Sequence, residues 1–145
     1  MQTLAILTQV LKKNKVRITT IRKALLMILL TRTKPMSVYD FQKRLQHEGI
    51  DAHKVTLYRD IELLCTLGIM REVSFTDGFR RYELEEDHHH HAVCTACKEV
   101  FEINDQALEK AVFSLERRTK KRYHFASLSH NLEFLGVCTR CFKHS

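Results

Sequence analysis

The chain has 145 residues and is 44% hydrophobic, which allows one compact domain or two small ones with a packed core. Its longest apolar run, ALLMILL at 24–30, is too short to span a membrane, and the N-terminus lacks a secretory signal pattern. We therefore expect a cytoplasmic protein with no membrane partner. Cytoplasmic thiols stay reduced, so the five cysteines indicate metal ligands and one spare thiol rather than disulfides.

The excess positive charge lies in the first half of the chain. The net charge is +7, and residues 1–72 contain 13 Lys or Arg against 6 Asp or Glu, whereas residues 73–145 contain 11 of each. This asymmetry indicates an anionic partner for the first half, most simply nucleic acid. A basic solvated surface without a partner would give the same charge.

Two helices are predicted at the start of the chain. Apolar residues recur at helical spacing over 4–13 and again over 18–30. Thr19 or Thr20 can cap the second helix with its hydroxyl, and Pro35 stops it.

A third and a fourth helix come next. Ser37 and Asp40 have nearly the spacing of a capping box for the third helix, which Gly49 ends. Asp51 is a candidate cap for the fourth helix, which closes at Gly68. One face of the fourth helix is apolar and is predicted to point inward: Leu57, Ile61, Leu64 and Cys65. Four side chains lie off that face: Lys54, Tyr58, Arg59 and Glu62.

Residues 69–84 predict a β-hairpin. Its two short strands are joined around Asp77 and Gly78, a dipeptide that favours a hairpin turn. Helix, turn, helix and hairpin make the winged-helix pattern, in which the last helix enters the major groove of DNA and the hairpin lies near the backbone. The pattern coincides with the basic half of the chain, so it favours DNA binding.

The second half predicts a small α+β segment. Its elements are strands over 88–94, 98–103 and 124–136, a helix over 104–122, and a terminal cysteine pair. We therefore expect a winged-helix domain over 1–84 and a second domain over 85–145. A segment of this size has too little core to be stable alone, so we expect a metal and a partner subunit to stabilise it.

Two Cys-x-x-Cys pairs occur in this segment, Cys94 with Cys97 and Cys138 with Cys141. In a cytoplasmic protein two such pairs match a closed tetrahedral zinc site with four thiolate ligands. Redox-active dithiols are the alternative, but no thioredoxin-like context surrounds either pair. Cys65 lies on an apolar helix face and is expected to be a core thiol.

Four consecutive histidines precede the first cysteine pair. In a strand, successive side chains point to opposite faces, so His88 and His90 would serve one site, and His89 and His91 another. Candidate partners lie elsewhere in the chain: Glu83, Glu102, Glu109 and His130. Each alone has a simpler explanation, as a core histidine, a surface carboxylate or, for the histidine run, a tag or solvated loop. Their occurrence together beside a four-cysteine site favours metal ligands.

Together these features resemble the ferric uptake regulator family of metal-dependent transcription factors. The resemblance covers nearly the whole length of the chain. The segments that carry the resemblance are RITTIRKALL, KVTLYRDIELLCTLGIM, YEL, HHHHAVCTAC, VFEI and FLGVCTRC. Members are dimers with an N-terminal winged helix and a C-terminal α/β dimerisation domain. The resemblance therefore implies both domains, a homodimer, and double-stranded DNA with a palindromic operator as partner.

The resemblance also implies roles for four groups of residues. The structural zinc ligands would be Cys94, Cys97, Cys138 and Cys141. The regulatory site at the hinge between domains would be Glu83, His89, His91 and Glu102. The additional site in the dimerisation domain would be His88, His90, Glu109 and His130. The candidate DNA contacts are Arg17 for the minor groove, Tyr58 and Arg59 on the recognition helix, and their neighbours Lys54 and Thr56.

Three positions depart from the family pattern. Iron-sensing and peroxide-sensing members usually have a histidine ligand where this chain has Lys34. Thr20 replaces a common proline, and Lys98 replaces a glycine after the first cysteine pair. The missing histidine weakens the case for a peroxide sensor and leaves zinc, iron and manganese sensing open.

The expected function is a metal-responsive repressor of metal-homeostasis genes, in which metal at the hinge sets the competence to bind DNA. A peroxide-responsive regulator of the same family is one alternative, and a metal-storage or metal-chaperone protein is another. A metalloenzyme is disfavoured because the chain has no nucleophile motif and little length for a substrate cleft, so we expect neither catalysis nor a small-molecule substrate. The expected metals are structural Zn²⁺ and a regulatory Zn²⁺, Fe²⁺ or Mn²⁺.

Overall fold

The computed structural model describes residues 2–32, 34–75, 78–85 and 89–143. The chain divides into two compact units, residues 1–87 and residues 88–145. Among the described residues, no helix combines the length and the apolar character needed to cross a membrane.

The first unit consists of four helices followed by a hairpin. The helices are α1 (Leu4–Lys13), α2 (Thr20–Thr31), α3 (Val38–His47) and α4 (Lys54–Thr66), and the strands are β1 (Met70–Ser74) and β2 (Arg80–Leu84). The four predicted helices are thus confirmed, with ends that differ by a few residues from those expected.

Local hydrogen bonds explain where these helices begin. Thr19 is the cap of α2, and its hydroxyl accepts from the Arg22 N–H at 3.2 Å. Ser37 and Asp40 form a reciprocal capping box at the start of α3. The predicted Asp51 cap of α4 is wrong: the residue before α4 is His53, which makes no side-chain capping bond.

The segment before α4 accounts for this difference. Ala52 is buried, and its carbonyl accepts a hydrogen bond from Gln42 Nε2 at 3.1 Å. Residues 51–53 therefore stay outside the helix, held against α3, and α4 starts at Lys54.

An apolar core fills the first unit, and all four helices contribute to it. The most deeply buried helical side chains are Leu11, Leu25, Leu26, Phe41, Leu45, Leu57, Ile61 and Leu64. The predicted inward face of α4 is thus confirmed, with Cys65 partly buried at its edge. Burial raises the pKa of the Cys65 thiol, as expected for a core cysteine.

The hairpin completes a winged helix. Strands β1 and β2 pair antiparallel, with Met70 opposite Leu84, and Gly78 has a φ of 79°, which favours glycine. Met36 pairs with Tyr82 through backbone bonds of 2.9 and 2.8 Å, which ties the start of the α3 segment to the hairpin. Asp77, the other predicted turn residue, lies outside the described residues.

The second unit is a three-stranded sheet with one long helix. Its elements are β3 (His90–Cys94), β4 (Val100–Ile103), α5 (Gln106–Tyr123), β5 (Glu133–Gly136) and a short α6 (Thr139–Phe142). Strand β3 is central, antiparallel to β4 and parallel to β5. Helices and two small sheets in separate parts of the chain confirm the predicted α+β class.

Two predicted elements of this unit need correction. The strand expected over 124–136 covers only Glu133–Gly136, because within the described part of the chain these are the four residues that pair with β3, opposite His91–Cys94. The helix expected over 104–122 covers Gln106–Tyr123, and His124, which follows it, adopts a left-handed φ of 58°. Helix α6, which contains Cys141, was not predicted.

Candidate metal sites and DNA-binding surface

The four cysteines of the two pairs meet at one end of the sheet. Cys94 ends β3, Cys97 lies in the turn after it, Cys138 precedes α6, and Cys141 lies within α6. Their sulfur atoms all lie within 4.8 Å of one another, and Cys97 Sγ is 3.9 Å from Cys138 Sγ. Tetrahedral zinc with Zn–S bonds of about 2.3 Å requires sulfur atoms about 3.8 Å apart. The cluster therefore fits a zinc ion with four thiolate ligands.

Backbone hydrogen bonds lower the pKa of two of these thiols. The Cys138 N–H donates to Cys94 Sγ at 3.3 Å and lowers the pKa of Cys94 to about 6. The Glu99 N–H lowers the pKa of Cys97 in the same way. Hydrogen bonding to Cys138, and then to Cys97, raises the pKa of Cys141 to about 12. A metal that binds all four as thiolates must therefore displace protons, most of all from Cys141.

Two further groups surround the cysteine cluster. Arg140 Nη2 lies 3.7 Å from Cys97 Sγ and 2.9 Å from a Glu99 oxygen, so its positive charge is held beside the thiolates. Lys98 adopts a left-handed φ of 62°, which explains physically why a glycine would be favoured at this position.

His90 and His91 project from opposite faces of β3. On one face, His91 lies opposite Glu102 of β4, and the rings of His89 and His91 are 4.8 Å apart between centroids. On the other face, His90 Nε2 is 2.9 Å from Glu109 Oε1 of α5. The alternation expected from the sequence thus separates the described histidines into two groups.

The structure brings together three of the four residues expected in the additional site. Besides its contact with Glu109, the His90 ring lies 5.2 Å from the His130 ring between centroids. His130 precedes β5 rather than lying in it. His88, the fourth residue of that set, lies outside the described residues.

Glu116 belongs to the same cluster and was missed from the sequence. Its Oε1 lies 2.8 Å from His130 Nδ1, which fixes that ring by a hydrogen bond. If His130 donates its Nδ1–H to Glu116, Nε2 is the ring nitrogen that carries the lone pair a metal would need. The signal was present, because Glu116 follows Glu109 by seven residues and so lies on the same helix face.

Glu83 lies in the first unit, near the end of β2. Its side chain is buried, and its Oε1 forms an ion pair with Arg71 Nε at 2.7 Å. This ion pair fixes the orientation of the buried carboxylate.

All but one of the candidate DNA contacts are exposed on the first unit. On α4, Lys54, Tyr58 and Arg59 are exposed and Thr56 is half-buried, while Arg17 is exposed between α1 and α2. Lys54 Nζ lies 6.0 Å from the centre of the Tyr58 ring, so a cation and an aromatic surface adjoin on the helix.

A partly buried ion pair joins α4 to α2. It was not predicted from the sequence. Arg22 of α2 contacts Asp60 Oδ1 of α4 at 2.8 and 2.9 Å, and Arg22 Nη1 also donates to the Arg17 carbonyl at 2.8 Å. Asp60 is 5% exposed and lies beside the apolar face of α4. An acidic residue next to an apolar helix face is the signal that would have found it.

The chain is similar to known proteins over most of its length. The sequence model of the ferric uptake regulator family matches residues 13–135. The chain is 32% identical to a ferric uptake regulation protein of Bacillus subtilis (strain 168), and the match covers 90% of this chain and 89% of that protein. It is 26% identical to a peroxide operon regulator of the same strain, over 93% of this chain and 90% of that protein.

Solved structures resemble the chain across both units. The ferric uptake regulator of Helicobacter pylori superposes with a TM-score of 0.81 at 20% identity, over 97% of this chain and 95% of that one. The ferric uptake regulator of Vibrio cholerae superposes with a TM-score of 0.73 at 27% identity, over 90% of this chain and 98% of that one.

Proposed function

The chain belongs to the ferric uptake regulator family, whose members are metal-responsive, DNA-binding dimeric regulators of transcription, and we propose that this one represses metal-homeostasis genes. The observation that carries the proposal is the presence in one chain of a winged helix with exposed cationic side chains and of separate cysteine and histidine clusters. In this proposal residues 1–84 bind DNA and residues 85–145 form the dimer.

The recognition helix α4 reads a palindromic operator in the major groove. Arg59 and Tyr58 contact base edges, whereas Lys54 and Thr56 contact phosphates or neighbouring bases. Arg17, outside α4, reaches the minor groove. The pair between Arg22 and Asp60 supports this geometry because it fixes α4 to α2 and binds the Arg17 carbonyl. Two copies of the winged helix in one dimer then match two half-sites.

The cysteine cluster binds zinc in this proposal. Bound by Cys94, Cys97, Cys138 and Cys141, it ties the end of β3 to α6, the last helix of the chain. The ion supplies no chemistry beyond this cross-link, because four thiolates leave no open coordination position.

The sensing site consists of Glu83, His89, His91 and Glu102. Glu83 is the member that belongs to the winged helix, and Arg71 orients it by holding one carboxylate oxygen. His89 and His91 follow it within eight residues of sequence, so metal bound by all four restricts the connection between the two domains. Metal then favours the arrangement that binds DNA, and by linkage DNA tightens metal binding equally.

The additional site consists of His88, His90, Glu109 and His130, with Glu116 orienting His130. Of the described members, His90 lies in β3, Glu109 and Glu116 lie in α5, and His130 lies in the segment before β5. All three places belong to the second unit. Metal there therefore stabilises the dimerisation domain itself rather than the connection between domains.

Peroxide sensing is the alternative within the family. The chain is 32% identical to a ferric uptake regulation protein but only 26% identical to a peroxide operon regulator, so similarity favours metal sensing. We also propose that the protein acts in the cytoplasm and catalyses no reaction.

A gel-shift assay tests the function. Zinc-loaded protein is mixed with a pool of random duplexes, the bound fraction is selected, and binding is measured with and without Fe²⁺, Mn²⁺ or added Zn²⁺. We expect one palindrome to be enriched and its binding to depend on one of these metals. Binding that metal leaves unchanged contradicts metal control, and binding abolished by hydrogen peroxide in the iron form supports the alternative.

A further inference from the structure

The sensing site as proposed has two histidine and two carboxylate ligands. Where iron-sensing relatives are expected to have one more histidine, this chain has Lys34, whose ammonium group offers no lone pair to a metal. Fe²⁺ and Mn²⁺ favour more than four ligands, and Mn²⁺ favours oxygen donors. Another donor from this chain would complete such a site.

The register of the three-stranded sheet brings a second carboxylate beside His91. His91 lies opposite Glu102 on the antiparallel strand β4 and opposite Glu133 on the parallel strand β5. Side chains of directly paired residues project from the same face of a sheet and lie about 5 Å apart at Cβ. Glu102, His91 and Glu133 therefore form one polar row across three strands.

The surroundings of this row favour a bound cation. His91 is 6% exposed, Glu133 is half-buried, and the Oε1 atom of Glu133 is fully buried. The next row on the same face is apolar, with Val93 between Val100 and Leu135. The half-buried Glu133 and the exposed Glu102 place two carboxylates beside one buried imidazole, and a divalent cation would neutralise their negative charge.

We propose that Glu133 is a fifth ligand of the sensing site, in place of the histidine that the chain lacks at position 34. The proposal rests on the assignment of Glu83, His89, His91 and Glu102 to that site. With three carboxylates and two histidines, the site favours Fe²⁺ and Mn²⁺ over Zn²⁺ more strongly than a four-ligand site would.

The test is a metal titration of protein that already holds zinc at the cysteine cluster. The wild-type protein is compared with Glu133→Gln, with Glu102→Gln as a reference for the proposed site, and with Glu48→Gln as a control. Glu48 is exposed on the surface of the first unit and pairs with Arg44, so its substitution removes the same charge away from the site. Mn²⁺ affinity is measured, and Co²⁺ absorption reports the number of ligands.

We expect Glu133→Gln to weaken Mn²⁺ binding by about tenfold or more and Zn²⁺ binding by less. The visible Co²⁺ bands should become stronger, as four-coordinate Co²⁺ absorbs more than five- or six-coordinate Co²⁺. Glu48→Gln should match the wild-type protein in both measurements.

Wild-type Mn²⁺ affinity and Co²⁺ bands in Glu133→Gln would overturn the proposal. If Glu102→Gln weakens Mn²⁺ binding and Glu133→Gln does not, the sensing site stands and only the fifth ligand is wrong. If neither variant weakens Mn²⁺ binding, the sensing site itself is wrong. Should Glu133→Gln fail to fold, Glu133→Asp keeps the charge but shortens the side chain. It should also weaken Mn²⁺ binding, and unchanged affinity would equally overturn the proposal.

Discussion

The helices of the two units differ in what they bury. Each of α1 to α4 contributes apolar side chains to a shared core, and several of these are completely inaccessible to solvent. The 18-residue α5, by contrast, has no buried residue, and the second unit exposes several large apolar side chains. These exposed side chains include Phe113, Leu115, Phe134, Leu135 and Phe142.

This difference indicates two sources of stability. Burial of apolar surface stabilises the first unit, because removing such side chains from water contributes about 25 cal/mol per Å². The second unit buries Val93, Cys94 and Val100 together with two histidines. We therefore expect it to depend on bound metal and on a second copy of the chain that covers its apolar side chains, because exposed apolar residues of this kind are typical of the core of a dimer interface.

The largest effect should follow from Cys97→Ser. Loss of one thiolate opens the zinc site, so the second unit should lose its fold and the protein its dimer, while the first unit keeps its own melting transition. Light scattering and residue-resolved thermal melting measure both. Cys65→Ala is the control, since it removes a thiol that is not a ligand. A Cys97→Ser protein that stays dimeric with an unchanged melting temperature would show that the cluster is not structural.

The next effect should be confined to the other unit. Leu64→Ala removes a fully buried side chain of α4 and should lower the free energy of unfolding of the first unit by about 2–5 kcal/mol. Zinc content and dimer formation should be unchanged. Val55→Ala, on the exposed side of the same helix, should change stability by less than about 0.5 kcal/mol. Equal losses from the two substitutions would contradict the core described for the first unit.

A smaller effect is expected on DNA binding. Arg59→Ala should weaken operator binding by about 1–3 kcal/mol and relax the preference for one base pair. Affinity for the wild-type protein should fall steeply with rising salt, because cations contact phosphates. Arg118→Ala is the control, since it removes an exposed arginine from the second unit. Wild-type affinity and sequence preference in Arg59→Ala would remove this residue from base recognition.

The sequence predicted the elements of the first unit more accurately than those of the second. The helices of the first unit were predictable because apolar residues such as Leu57, Ile61 and Leu64 repeat at helical spacing, and that repeat is the core itself. The strand over 124–136 was predicted too long because alternation alone does not say where a partner strand begins. Strand β3 pairs with it only from His91, a contact between residues far apart in sequence.

The candidate metal ligands were predictable by type but only partly by position. Strand alternation separated His90 from His91 because it is a local property of the backbone. Glu116 and Glu133 were missed because their place depends on how α5 packs on the sheet and on which strand adjoins β3. Asp60 had a local signal in its place beside an apolar helix face, but its pairing with Arg22 had none, because Arg22 lies on another helix.

The two faces of β3 are expected to have different functions, one in sensing and one in stability. Operator binding is measured at increasing metal for the wild-type protein, His89→Ala and His90→Ala, alongside the melting temperature of each. His89→Ala should lose metal-stimulated DNA binding with its melting temperature unchanged. His90→Ala should keep that stimulation and melt at a lower temperature, because His90 is buried against Glu109. Equal effects of the two substitutions on DNA binding and on melting would contradict the claim.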